Sequence, residues 1–358
     1  MKKVLLGSTA VIGAAMMFAA PASAEWETTI GGFLKAEGWI GDQDVDDAKP
    51  RGYSFGNDDF ELQIKARNTS DNGLTYGVTL ELENDFNSDE AYLYIGSDWG
   101  QITLGAQDGA TDSMPYSGDF SLVATGGYDG GFPAAYDQQG TAPLTPDLAA
   151  DTGDSAKIIY RSPRFSGFQI QVNYAPDGSQ GNSGDTELNA GGDDDVVQIG
   201  ANWVETINGF DIGIGGVWST SSAGENAAPG LEDTEGYMIG FNVGFSGFTG
   251  GASYGDNEDS GCDTAAGAGC DGGNFWEVAG GYSTGPFSIG VGYFSSEKDN
   301  GAGAGGGTDE VEIFSITGQY SLAPGLALYT EINFLDEDND STFDNDGTVF
   351  MLGASASF

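Results

Sequence analysis

The chain has 358 residues, of which 55 are acidic and 11 are basic, so its formal net charge is −44 at pH 7. Such acidity disfavours nucleic acid as a partner, because phosphate binding needs a basic surface, and it favours cations near the protein. The absence of histidine excludes nucleophilic triads built on histidine and most zinc sites. Catalysis by carboxylates alone remains open, but no catalytic residue is predicted.

Residues 1–24 have the composition of a secretory signal peptide. Lys2 and Lys3 give a positive start, residues 4–20 form an apolar middle, and residues 22–24 are the small residues of a cleavage site. A membrane helix at the N-terminus is the alternative, and it is disfavoured because the middle is short and rich in Gly, Ser and Ala. We predict cleavage after Ala24, which leaves residues 25–358 as one exported unit without a spanning helix.

Sixteen segments of the exported part alternate between apolar and polar residues, which is the pattern of strands with one apolar and one wetter face. In the third segment, Leu74, Tyr76 and Val78 alternate with Thr75 and Gly77. In chain order the predicted strands are 26–40, 59–68, 74–84, 89–98, 101–107, 155–162, 167–175, 194–205, 210–220, 234–245, 248–255, 273–283, 287–296, 309–321, 326–335 and 347–358.

The connections between these strands also alternate, between tight turns and loops that are mostly longer, acidic and rich in glycine. Aromatic residues such as Phe165, Phe210 and Phe248 lie beside the tight turns. An even strand number, loops sorted by length and aromatic residues at strand ends predict an all-β fold, a 16-stranded antiparallel transmembrane β-barrel. A soluble β-sandwich is the alternative, but it has no reason to sort its loops in this way.

Two local motifs bear on disulfide and metal chemistry. Cys262 and Cys270 are separated by seven residues rich in Gly and Ala, and in an exported chain this favours a disulfide over a metal site with two thiolates. Residues 336–340 have the spacing that begins an EF-hand, but Gly and Glu are missing from its sixth and twelfth positions. No metal site is therefore predicted, and acidic loops that hold calcium loosely are the most that these carboxylates support.

Several segments resemble the trimeric general-diffusion porins of Gram-negative bacteria. Residues 155–174, SAKIIYRSPRFSGFQIQVNY, resemble strands six and seven of that family with the short turn between them. Residues 96–105, GSDWGQITLG, are similar to its fourth hairpin turn, in particular in the alphaproteobacterial branch, and residues 31–38, GGFLKAEG, are similar to its first strand. A terminal aromatic residue, here Phe358, matches the family's assembly signal.

The resemblance implies a homotrimer in outer-membrane lipid that passes ions and small hydrophilic solutes by diffusion, with no enzymatic activity and no cofactor. The family's inward-folded constriction loop corresponds to residues 108–154, which contain no basic residue. The acidic constriction residues are then Asp108, Asp112, Asp119, Asp129 and Asp137. The opposite pore wall is predicted, from strand parity, to carry Lys35, Glu61, Lys65, Arg67, Lys157 and Arg161.

Glu61 stands where the resemblance implies a wall arginine, so the basic cluster of the wall is thinned. Few fixed cations and many aspartates predict a water-filled channel that favours cations. Two other functions stay open at this point. One is a porin specific for a solute such as a sugar, since a track for anions would need a ladder of Lys and Arg. The other is a secreted soluble β protein that binds calcium.

Overall fold

The structure is a computed structural model that describes residues 26–45, 48–83, 87–178, 193–223, 232–262, 270–301, 306–340 and 344–358. The predicted signal peptide lies outside these ranges. The strands are β1 (Glu27–Gln43), β2 (Tyr53–Thr69), β3 (Thr75–Leu82), β4 (Ser88–Ser97), β5 (Gly100–Ala106), β6 (Ala156–Arg161), β7 (Phe168–Asp177), β8 (Asp193–Ile207), β9 (Phe210–Ala223), β10 (Glu235–Phe245), β11 (Phe248–Asp256), β12 (Asn274–Thr284), β13 (Phe287–Asp299), β14 (Thr308–Ala323), β15 (Leu326–Asn339) and β16 (Gly347–Ser357).

The sixteen strands close into one barrel in which each strand pairs with its neighbours in sequence. β16 returns to pair antiparallel with β1, from Phe33 opposite Ser357 to Gln43 opposite Gly347. The predicted 16-stranded antiparallel barrel is thereby confirmed, and closure leaves no strand edge without hydrogen bonds. Within the described ranges, no helix combines the length and the apolar character needed to cross a membrane.

β2 begins at Tyr53, six residues before its predicted start at residue 59. The register between β1 and β2 shifts between Lys35 and Ala36, where Lys35 lies opposite Asp59 and Ala36 lies opposite Asn57. This β-bulge adds one residue to β2, and an extra residue breaks the period of two on which the prediction depends. The first long connection is therefore shorter than predicted.

The alternation of the strands places apolar side chains outside the barrel and polar side chains inside it. On β7, Phe168 and Ile170 are exposed on the outer surface, whereas Gln171 and Asn173 are fully buried. A soluble protein has the reverse arrangement. An apolar outer surface around a polar interior is what a bilayer requires of a β-barrel.

Aromatic side chains form a girdle on the outer surface near the short turns. Phe210 stacks on Phe245 with 4.3 Å between ring centres, and Phe248 lies 4.4 Å from Tyr282. Each pair joins residues at the ends of neighbouring hairpins. Aromatic rings at this level match the interface between hydrocarbon and headgroups.

Deletion of Phe358 is expected to slow insertion of the barrel and to leave the conductance of assembled channels unchanged. Phe358 and Gly32 exchange two backbone hydrogen bonds, of 3.0 and 3.1 Å, at the seam between β16 and β1. Losing both costs about 2 kcal/mol, and the girdle also loses an aromatic ring. The measurement is the appearance of heat-modifiable protein on SDS gels during refolding into lipid vesicles. Equal refolding rates for both proteins would contradict this role of Phe358.

Candidate functional site

The longest connection of the barrel, residues 107–155 between β5 and β6, runs along the inner wall, and we call it the lumen loop. Its helix α1 (Ala110–Ser113) packs against β7, β8 and β9. Its 3-10 turns at Asp119–Ser121 and Gly127–Asp129 pack in order against β11 to β13 and against β13 to β15. Because these strands are consecutive around the barrel, the lumen loop follows much of the inner circumference.

Glycines of the inner wall allow the backbone of the lumen loop to lie close against the strands. A β-carbon at Gly215 would lie 2.2 Å from the carbonyl oxygen of Met114. A β-carbon at Gly240 would likewise lie 2.2 Å from the carbonyl oxygen of Tyr116. Real β-carbons do not approach oxygen so closely, so these positions have room for the loop only because they are glycine. Similar close approaches to the loop occur at Gly251, Gly281 and Gly290.

Three fully buried glutamates of the wall, Glu277, Glu331 and Glu337, hold the lumen loop by accepting hydrogen bonds from it. Glu331 on β15 accepts from the backbone N–H groups of Thr125 (3.3 Å) and Gly127 (3.2 Å). The hydroxyl of Thr125 also donates to this carboxylate, at 2.9 Å. A buried carboxylate needs such donors, and each bond to an ionised acceptor is stronger than a neutral one.

The other two glutamates, Glu277 and Glu337, bind other parts of the lumen loop. Glu277 on β12 accepts from the backbone N–H of Gly118 at 2.8 Å and from the hydroxyl of Tyr128. Glu337 on β15 accepts from the backbone N–H of Gln139 at 2.9 Å. These anchors are not predictable from the sequence, since their donors are mainly backbone groups that any residue supplies. The available signal was an acidic residue at an inward position of a strand without a basic partner.

The hydrophobic core lies inside the barrel, between the lumen loop and the wall. Tyr128 and Phe132 of the loop are fully buried there, as are Phe275 of β12 and Phe294 of β13. The ring of Phe294 lies 5.8 Å from that of Tyr128 and 6.1 Å from that of Phe275. Burial of these rings stabilises the loop against the wall in addition to the carboxylate bonds.

Lys157, predicted as a pore-wall residue, instead holds the two ends of the lumen loop together. Its ammonium donates to the carbonyl oxygen of Gln107 at 2.5 Å and to that of Gly153. Lys157 is only 4% exposed, so its charge lies beneath the loop and not on the open wall. Nearby, the backbone N–H of Ala110 donates to Gln198 at 2.8 Å and fixes the start of α1.

Two of the predicted basic wall residues are paired with acids on the same wall. The ammonium of Lys35 lies 3.2 Å from the carboxylate of Asp59, and that of Lys65 lies 3.3 Å from the carboxylate of Glu81. Both pairs join neighbouring strands, β1 with β2 and β2 with β3. Each positive charge is thus offset locally, which weakens its effect on a passing ion.

The remaining predicted wall residues lie on the same inward faces. Arg161 on β6 donates from Nε to the side chain of Gln171 at 2.7 Å. Glu61 accepts from the side-chain amide of Gln63 on β2, and Arg67, six residues after Glu61, is exposed. Strand parity gave a direction for these residues but not their partners.

Aspartates of the lumen loop affect one another's ionisation. Enclosure by the protein, followed by the charges of Asp151 and Asp108, raises the pKa of Asp112 to about 7. Enclosure, with the charge of Asp147 as the next cause, raises the pKa of Asp129 to about 8. Burial is the main cause at both positions, and repulsion by neighbouring acids adds to it.

Asp119 and Asp137 each accept a hydrogen bond. The carboxylate of Asp119 accepts from the hydroxyl of Ser117, and burial raises the pKa of Asp119. Asp137 accepts from the backbone N–H of Ala48 at 2.7 Å, which ties the lumen loop to the first long connection. Asp119 therefore lies on the deep part of the loop, and Asp137 lies on the part near the long connections.

One group of acids has the spacing of a possible metal site. Glu90, Asp108 and Asp154 each offer one carboxylate oxygen, and these oxygens lie within 4.8 Å of one another. Burial and the neighbouring Asp89 raise the pKa of Asp154 to about 6. Calcium takes roughly six to eight oxygen ligands, so three carboxylates are only a partial set. Residues 336–340, with the spacing of an EF-hand start, lie mostly on β15 and do not form a loop around an ion.

Cys262 and Cys270 are joined in a disulfide in the connection between β11 and β12. The carbonyl oxygen of Cys262 accepts from the backbone N–H of Glu232 at 2.8 Å. On the other side, Asp271 donates from its backbone N–H to Asp299 at 3.2 Å. The residues at the two ends of the bridged segment therefore contact the connection between β9 and β10 and the end of β13.

Residues 8–340 match a family model described as Gram-negative porin. The chain belongs to this family. A comparison with curated proteins gives no match. A porin lies in the outer membrane and forms a channel through it, and the family and the fold point to a channel rather than an enzyme.

Solved structures share the fold of this porin at low sequence identity. The anion-selective porin from Comamonas acidovorans is 15% identical with a TM-score of 0.61, over 93% of this chain and 100% of that chain. A double-alanine mutant of the Rh. blastica porin is 16% identical with a TM-score of 0.60, over the same shares. OmpT of Vibrio cholerae, described in a trimer form, is 14% identical with a TM-score of 0.60, over 93% and 99%. At such identities the likeness shows the fold alone.

Proposed function

We propose that this porin is a cation-selective channel for passive diffusion of ions and small hydrophilic solutes, with the lumen loop as its constriction. The observation that supports the proposal is the set of lumen-loop aspartates, of which Asp108, Asp112 and Asp129 are exposed, on a segment without any basic residue. In a narrow channel with walls of low dielectric constant, fixed negative charges concentrate cations and exclude anions. No bond is made or broken, so selectivity comes from width and charge alone.

Three basic residues of the wall contribute little positive charge to the lumen. Lys35 and Lys65 are each within 3.3 Å of a wall carboxylate, and Lys157 lies beneath the loop. A similar fold in an anion-selective porin supports the view that the sign of the selectivity is set by these side chains. Resident cofactors are not part of the proposal, and calcium would be held loosely at most.

We also propose that the porin is a homotrimer, as the trimer form of a structural relative suggests. The apolar outer surface has room both for lipid and for contacts between copies. If one trimer inserts and its three channels close independently, the current falls in three equal steps. The number of steps therefore tests this part of the proposal in the same recording as the selectivity.

Planar-bilayer recording in a tenfold KCl gradient tests the selectivity. The reversal potential is expected to have the same sign as the potassium equilibrium potential. The expected preference for potassium over chloride is about tenfold, since a charged cleft raises the counter-ion concentration by at least that factor. Millimolar calcium is expected to lower the preference by neutralising carboxylates. A reversal potential with the sign for chloride, or protein that inserts without current steps, would overturn the proposal.

A further inference from the structure

Phe120 of the lumen loop is an apolar side chain that the protein leaves open to the water of the channel. It is 60% exposed, although it lies within the barrel. The backbone beside it lies on the inner wall, because β-carbons at Gly251 and Gly281 would come within 2.6 Å of Ser117 and Ser121. The exposed ring therefore faces the lumen and not the membrane.

Phe120 forms a pair with Tyr116 near the short-turn end of the channel. The two ring centres are 5.9 Å apart and the ring planes differ by 30°. Tyr116 lies over Gly213 of β9, where a β-carbon would come within 2.4 Å of the tyrosine ring. Gly213 is three residues from the start of β9 at its short turn. The pair is thus a fixed aromatic surface that passing solutes meet.

Negative charge surrounds this aromatic surface. Asp119 directly precedes Phe120, and the turn that carries Asp129 packs against the turn that carries Phe120. Asp211 of β9 is two residues from Gly213 and therefore lies on the same inward face of the strand. An exposed aromatic ring beside carboxylates is the combination that attracts organic cations, through the electron-rich ring face and through charge.

We propose that Tyr116 and Phe120, with Asp119, form a transient binding subsite for organic cations such as quaternary ammonium compounds on their way through the channel. The inference rests on the proposed cation selectivity and names the class of solute that the constriction prefers. Sugars also stack on aromatic rings. The carboxylates here favour a positively charged solute, so a sugar is treated as an outcome of the test.

Choline and its uncharged isostere 3,3-dimethylbutan-1-ol are the probes, applied to potassium current through the full-length channel in planar bilayers. Choline is expected to interrupt the current in a concentration-dependent way, and the isostere is not. Phe120→Leu keeps an apolar side chain without a ring and should raise the half-blocking concentration about threefold, the range of one exposed cation–π contact. Choline should block the Phe120→Trp channel at least as well as it blocks the native channel.

Phe165→Leu is the matched control. Phe165 is 79% exposed on the short turn between β6 and β7, outside the lumen. Both leucine variants should keep the native KCl reversal potential, which reads out the proposed function independently. Equal block by choline in the native and Phe120→Leu channels would overturn the subsite while leaving cation selectivity intact. Block by glucose or by the neutral isostere that disappears in Phe120→Leu would also overturn it, in favour of a neutral solute.

Discussion

Replacement of Gly281 by valine is expected to narrow the channel and to lower its single-channel conductance. A β-carbon at this position would lie 2.4 Å from the carbonyl oxygen of Ser121, and ordinary contact begins at 3.4 Å. The deep segment of the lumen loop must therefore retreat from β12 by about 1 Å, and a retreat from the inner wall moves it toward the lumen. The misfit is expected to cost about 1–3 kcal/mol, as overpacking does elsewhere.

The neighbouring Gly280 provides the control for this experiment. It lies on the outer face of the same strand, and a β-carbon there would be 3.5 Å from the carbonyl oxygen of Thr249, an ordinary contact. Gly280→Val should therefore insert and conduct as the native channel does. Conductance is read from single-step currents, and heat-modifiable mobility on SDS gels shows that both variants fold. Unchanged or increased conductance in folded Gly281→Val would contradict the path of the loop along the wall.

The barrel could be predicted from sequence because each strand carries its own period of two, and no distant contact is needed to see it. The prediction was wrong at the start of β2, where a bulge opposite Lys35 interrupts the period. The lumen loop has no period, so its inward direction came from resemblance and not from the residues. Its path depends on which strands it meets, and that information is not local.

Site residues on the strands could be predicted only as far as local sequence determines them. Strand parity predicts only a direction for Lys35 and Lys65, and it says nothing about their acidic partners on the neighbouring strands. It could not show that Lys157 would be covered, since the carbonyl groups that bind it belong to the loop. Glu331 was missed for the related reason that its donors are loop backbone groups. The close approaches at Gly215 and Gly240 were missed because the composition alone does not distinguish them among 60 glycines.

Lowering the pH from 9 to 5 is expected to weaken the preference for potassium over chloride, with most of the change between pH 8 and pH 6. Asp129 has a pKa raised to about 8 and Asp112 a pKa raised to about 7. A carboxyl with a raised pKa is negative only above that pKa, so both charges are present at pH 9 and lost on acidification. An ordinary aspartate, with a pKa of about 4, would keep its charge throughout this range.

The double variant Asp112→Asn, Asp129→Asn should have a lower potassium preference at pH 9 and a nearly flat profile down to pH 6. Asp71→Asn, on a short turn outside the lumen, is the control and should keep the native profile. Reversal potentials are best measured near 0.1 M salt, where the screening length is about 10 Å and charges still act across the lumen.

The acidic groups near Asp112 and Asp129 determine how far selectivity changes in the double variant. Asp112 lies near Asp151 and Asp108, and Asp129 lies near Asp147 and Glu277. Removing one charge lowers the pKa of its neighbours, so those neighbours become more fully ionised and restore part of the negative potential. The double variant should therefore remain cation-selective at pH 9 with a smaller preference. A native pH profile in the double variant would place the titrating charges elsewhere in the channel, while loss of all selectivity would show that Asp112 and Asp129 alone carry it.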